Sequence, residues 1–199
     1  MPFPDEVAPV VLVEYCKQWE KDYGVVADTL RGLELAEWGV IEHVGSTAIP
    51  GLVAKDVIDV QVRVPDLSVV SMIASFTGAG FRHRPEEWNN FELTRLGVVP
   101  KLVFAPPIGA RRVNLHVRID GSPGARDTLL FRDYLRSDDV ARDSWGSFKR
   151  SIVDRVEQID LASYGQAKQT AWYELMDHAD GWAANGGWQP SSLVPWSRI

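Results

Sequence analysis

The chain has 199 residues, 45% of them hydrophobic, which is enough for one globular domain with a real buried core. Its 21 basic and 27 acidic residues give a net charge of −6. That balance argues against binding long DNA or RNA, where clustered positive charge supplies most of the affinity, but leaves room for a small anionic ligand in a local basic pocket. Cys16 is the only cysteine, so an intramolecular disulfide and a cysteine zinc cluster are both excluded.

In chain order, Met1 to Glu6 lacks a basic region followed by an apolar run, so no secretory signal is expected. No apolar run approaches the ~20 residues that span a bilayer, and a cytoplasmic protein is expected. Val10 to Val13 reads as a first short strand. From Tyr15 to Glu37 the pattern is helical, with Trp19, Tyr23, Val26, Leu30 and Leu33 on one face and Gly24 marking a kink or break. A second extended piece follows from Trp38, and Ser46 to Leu52 reads as a loop.

Val57 to Val64 reads as the best strand. Ile58, Val60, Val62 and Val64 form its core face, with Val57, Asp59, Gln61 and Arg63 opposite. Asp66 or Ser68 can cap a helix running to about Thr77. Phe81 to Asn90 is irregular, and Phe91 to Arg95 and Lys101 to Phe104 are short strands split by Gly97 and Pro100. Arg112 to Ile119 alternates cleanly. Val113, Leu115, Val117 and Ile119 face the core, and Arg112, Asn114, His116 and Arg118 face away. Gly121 to Gly124 reads as a turn. Helices are expected over Asp127 to Arg136, Val140 to Asp160 and Ser163 to Asp180. The layout predicts one domain over 1–182, a mixed sheet flanked by helices of α/β or α+β type, with an extended tail over 183–199.

The segment Ile41-Glu-His-Val-Gly-Ser-Thr-Ala-Ile-Pro-Gly51 carries the clearest chemistry. Gly45 permits close backbone approach to a ligand, and Ser46 and Thr47 place hydroxyls beside it. A tight turn explains the same residues without a ligand. Twelve residues lie between Ser46 and Asp59. An acidic residue on a strand facing such a turn can hold Mg²⁺ against bound phosphates, with Lys55 close by. Alternatively, Asp59 pairs with Arg112 or Arg118 across the sheet. His116 is a candidate general base or ligand, or simply a packed residue. Arg132, Lys149 and Lys168 add basic positions on the helices. Trp172, Trp182, Trp188 and Trp196 are either an aromatic ligand wall or helix packing.

The run Ile41 to Lys55 followed by Ile58-Asp-Val-Gln-Val62 resembles the GrpB family. Leu115-His-Val117, Phe131-Arg-Asp-Tyr-Leu135, Lys149, Tyr164 and Lys168 continue the resemblance. It implies the fold of DNA polymerase β-like nucleotidyltransferases: a Gly-Ser turn, a spacer, then a strand with two acids one residue apart. Asp59 matches the first acid, while neutral Gln61 occupies the second position. His116 or a neighbour corresponds to the third. Asp56 stands where the family commonly has proline. Three residues from Asp59, it would point to the opposite face of a regular strand.

The resemblance implies a nucleotide-dependent transferase using Mg²⁺ and a nucleoside triphosphate on a small-molecule acceptor. Gly45, Ser46, Thr47, Lys55, Gln61, Arg112, Asn114, Arg132, Lys149, Tyr164 and Lys168 would contact phosphate or substrate. Asp59 would hold the metal and share the catalytic role with His116. An ATP-dependent ligase working through an adenylate, and a nucleotide- or metabolite-binding protein without turnover, are the alternatives. The oligomeric state is left open.

Overall fold

The computed structural model describes residues 9–33, 38–67, 69–156 and 158–195. Its helices are α1 (Gln18–Arg31), α2 (Val69–Gly78), α3 (Glu87–Asn90), α4 (Pro123–Ser137), α5 (Asp139–Arg155) and α6 (Leu161–Gly186). Its strands are β1 (Trp38–Val44), β2 (Ile58–Val64), β3 (Arg82–His83), β4 (Phe91–Thr94), β5 (Gly97–Ala105), β6 (Val113–Ile119) and β7 (Val194–Pro195). The sheet order is β3-β5-β6-β2-β1-β7, with β4 added to β5. β2 and β6 run parallel, and the other pairs are antiparallel. The expected mixed sheet flanked by helices is therefore present.

Period-two alternation builds one face of the core. Ile58, Val60, Val62 and Val64 of β2 and Val113, Leu115 and Val117 of β6 are buried against Trp19, Ala27 and Leu30 of α1 and Met72 and Phe76 of α2. The other face is not open to water. Gln61 is fully buried and Arg63 is 1% exposed beneath the second helical layer. A second apolar cluster joins Ile49 and Leu52 to Leu130, Leu135, Trp145, Met176 and Ala179 of α4, α5 and α6.

The two arginines between sheet and helices are paired, as burial demands. Arg63 Nε donates to Glu42 (2.7 Å), its guanidinium pairs with Asp120, and it also donates to the Ser191 carbonyl (2.7 Å). Arg118 makes a two-pronged pair with Glu92 (both 2.8 Å) and donates to the Gln61 side-chain oxygen (3.0 Å).

Several expectations change. Val10 to Val13 forms no strand, only an isolated bridge between Val13 and Ala54. A strand needs a neighbouring ladder, and Val10 instead donates to the Ile159 carbonyl (2.9 Å). Helix α1 passes through Gly24 without a break, because Trp19, Ala27 and Leu30 anchor it on both sides. Pro100 lies inside β5 rather than splitting it. At that point β5 has β4 as neighbour, and β6 pairs only from Lys101 onward. The turn expected over 121–124 is present at its start, where Gly121 has φ 72° and Ser122 N donates to the Ile119 carbonyl (3.1 Å), but Pro123 and Gly124 already form the first turn of α4, capped by Ser122 on Ala125. Helix α6 runs past residue 182 to Gly186 and stops on Gly187 in the left-handed conformation. The extended segment beyond it docks on the sheet, with Ser191 on Arg63 and β7 on β1. Residues 34–37, Ser68 and Trp196, all in the sequence reading, lie outside the described residues.

Candidate functional site

The site forms where three strand ends meet. β1 ends at Val44, which pairs with Asp59 at the start of β2, and Asp59 pairs in turn with Asn114 of β6. β2 and β6 are parallel, so both present their first polar residue at the same edge. Gly45 then turns the chain across Asp59 with φ 68° and ψ −169°, a region nearly restricted to glycine. An added Cβ would stand 2.9 Å from the Asp59 Cβ and closer still to its carboxylate. Dihedral and space both require glycine here. Ser46 to Ala48 continue as one 3₁₀ turn.

Helices α5 and α6 close the corner from above. A cavity of about 220 Å³ is lined by Ser46, Lys55, Asp59, Asn114, Lys149 and Lys168, with Thr47, Ala54, Val57 and Tyr164 completing the wall. Lys149 is 2% exposed and donates to Ser46 Oγ (3.0 Å) and to the Val53 carbonyl. The Lys168 ammonium lies 4.4 Å from the Tyr164 ring centroid, and that of Lys55 lies 5.9 Å from the same centroid. The ring face thus steadies two like charges. Asp59 accepts a hydrogen bond from the Asn114 side chain (3.1 Å).

The electrostatics follow from crowding and burial. Burial, with Lys168, Arg150 and Lys55 nearby, lowers the Lys149 pKa to about 7. Lys168 is lowered to about 8 by burial and by Lys55, against the pull of Asp59. Burial pushes the Asp59 carboxyl above its usual range, although Lys55, Asn114 and Lys168 oppose the shift. The buried Tyr164 phenol is likewise raised, so it stays protonated. Three lysines against one carboxylate line the cavity, an arrangement that favours an anion.

Not every residue singled out in the sequence reaches this cavity. Gln61 is occupied by Arg118 and by the Ala125 carbonyl (3.3 Å). His116 lines neither this cavity nor the next. Its Nδ1 is buried without a hydrogen-bond partner among the described residues, and its pKa is held well below ordinary by burial, Arg118 and Lys101. Arg112 is exposed and outside the lining. Arg132 supports the corner from behind, donating to the His43 carbonyl (3.2 Å) and to Asp133 (2.7 Å). Asp56 turns away and accepts from the Trp19 indole (2.8 Å), with Arg111 beside it. Arg118 is taken up by Glu92 and Gln61, so it forms no ion pair with Asp59 and acts on that carboxyl only through its more distant charge.

A second cavity, also about 220 Å³, shares Ser46, Asp59 and Lys168 and adds Gly45, Thr128, Phe131, Trp145 and Trp172. The sequence suggests Trp172 as a ligand wall but gives no reason to single out Thr128 or Trp145. Trp145 sits at helical spacing with Phe148 and Ile152, which reads as core.

The donor set does not fit a resident metal centre. Among the described residues, Asp59 is the only carboxylate lining either cavity, and no group of three His, Cys, Asp or Glu could hold an ion. The described helices include none long and apolar enough to cross a membrane.

Fold and site together define an α/β protein with a Gly-Ser corner facing an acidic strand beneath a lysine-lined helical layer. The GrpB protein family model matches residues 9–178, and the chain belongs to the GrpB family. A crystal structure of GrpB from Enterococcus faecalis superimposes with a TM-score of 0.70 at 21% identity, covering 85% of this chain and 96% of that one. A dephospho-CoA kinase of Mycolicibacterium paratuberculosis is 30% identical over 92% of this chain and 49% of its own length. The chain therefore spans about half of that relative. A structure of Cid1 with its short product ApU matches at a TM-score of 0.46 and 13% identity, over 65% of this chain and 39% of that one.

Proposed function

We propose that the chain is a nucleotide-dependent transferase that binds a polyphosphate in the lysine-lined cavity. The observation that carries this reading is the convergence of Lys55, Lys149 and Lys168 with Ser46 around the single carboxylate of Asp59. Ammonium groups in a half-buried cavity attract phosphate oxygens strongly, because little water screens them. Lys149 holds Ser46 in place, and Gly45 lets the turn lie flat against Asp59. A two-ion mechanism does not suit one carboxylate. A magnesium ion would enter with the nucleotide as part of the substrate, meeting Asp59 on the protein side. The nucleotide pools this reading requires are those of the cytoplasm.

Binding without turnover is the second reading. It is favoured by Gln61, which is neutral and already satisfied by Arg118 and Ala125. The two separate in a pyrophosphate-release assay with each ribonucleoside triphosphate, Mg²⁺ and a panel of hydroxyl, amine and carboxylate acceptors. Transfer or ligation predicts release that Asp59→Asn lowers at least ~100-fold. Saturable nucleotide binding with no release above buffer under any acceptor leaves the binding reading and removes the transferase.

A further inference from the structure

The two cavities meet at Ser46, Asp59 and Lys168, yet their walls differ. Beyond those shared residues the first presents Lys55, Lys149 and Asn114. The second presents Phe131, Trp145, Trp172 and the Thr128 hydroxyl. Phe131 packs edge-on to Trp145, with ring centroids 5.8 Å apart, so this aromatic wall is braced from behind. Phe131 is 8% exposed and Trp145 6%, whereas Trp172 is half-buried and retains a face for contact. The Thr128 hydroxyl donates to the Gly124 carbonyl (2.7 Å), leaving an acceptor on its oxygen. Alone, each cavity is smaller than a typical small-molecule site of roughly 300–1,000 Å³, and joined they approach that range.

We infer that the second cavity is a subsite for a planar aromatic ring, held against Trp172 and Phe131, while the neighbouring lysine cavity holds the anionic end of the bound substrate. The inference rests on the phosphate reading of the first cavity and adds the chemistry of the second. The shared wall of Asp59 and Lys168 lies between ring and anion, which is where a reacting bond would sit. Beyond the shared Ser46, Asp59 and Lys168, the second cavity offers aromatic side chains and one hydroxyl, which favour a flat ring by stacking over a second polyphosphate. The ring has two sources: the base of the same nucleotide, or an aromatic acceptor entering separately.

Calorimetric titration of the full chain with inorganic triphosphate, with ATP, and with indole in the presence of saturating triphosphate tests the inference. If the ring belongs to the nucleotide, ATP binds at least about tenfold tighter than triphosphate. If it belongs to an acceptor, indole binds to the triphosphate complex. In either arm Trp172→Ala removes the gain, Trp172→Phe keeps most of it, and triphosphate affinity stays within about twofold in both variants. A gain insensitive to Trp172→Ala, or no gain in either arm while triphosphate binds normally, overturns the subsite alone. Ring binding that depends on Trp172 without any triphosphate binding overturns the phosphate reading alone. No binding in any arm overturns both.

Discussion

Inorganic triphosphate should bind this chain roughly 100-fold more weakly at pH 9 than at pH 7, after correction for the ligand's own titration. In the free protein Lys149 titrates at about 7 and Lys168 at about 8. Bound phosphate oxygens supply the countercharge that burial withholds, so both pKa values return toward the ordinary lysine range in the complex. Below about pH 6 both lysines carry their protons in either state, and binding takes up none. Above pH 7 the free protein has released protons that the complex retains. Binding then takes up protons and weakens as pH rises, by up to about tenfold per pH unit for each lysine. Stability of the free protein moves the opposite way. A buried lysine with a lowered pKa binds fewer protons folded than unfolded, so for Lys149 the penalty is full below about pH 6 and is relieved as pH rises through its folded pKa. Calorimetry at several pH values, each in two buffers of different ionisation enthalpy, reads the proton uptake directly. Affinity that is flat across this window, with no proton uptake, would show that the lysines do not hold the anion.

The second large effect is expected at Gly45. Gly45→Ala should destabilise the fold by about 3–5 kcal/mol, the sum of a glycine-only backbone conformation and a forced collision. The collision is with Asp59 itself, so the strand that carries the carboxylate must move if the fold survives. Triphosphate affinity should fall with it. Gly181→Ala is the matched control: a Cβ there meets nothing within 4 Å, inside α6 near its C-terminal end. It should raise stability by up to about 1 kcal/mol, because alanine favours the helix. Chemical denaturation of both variants checks the pair. Equal, small effects at the two positions would mean that the corner is not packed as described.

Much of this corner could be read from the sequence because its signals are local. Alternation fixed the core faces of β2 and β6, and the tight turn read at Gly45 is present, although that it crosses Asp59 is visible only in the fold. The two-face argument for Asp56 also held, since that side chain points to Trp19 and Arg111. Long-range pairing was not legible. Gln61 and His116 share a polar strand face with Asp59 and Asn114, and nothing in their spacing tells that Gln61 would meet the start of α4 at the Ala125 carbonyl. Arg63 is an acceptable surface residue on one strand, and its burial comes with partners distant in sequence: Glu42, Asp120 and Ser191. Val10 to Val13 has strand composition but no free neighbour to complete a ladder. Trp145 has the spacing of core, and it serves as core and cavity wall at once.

The lysine cavity as an anion site is tested most directly by the dissociation constant of inorganic triphosphate at pH 7 and low salt, for the native chain and for Lys168→Gln. Lys168 is half-buried and makes its contact with a ring face, so the substitution should leave the fold intact. The expected result is saturable binding by the native protein, weakened at least about tenfold in the variant and weakened in both by added salt. Absence of saturable binding in the native chain, or equal affinity in the two proteins, would contradict it.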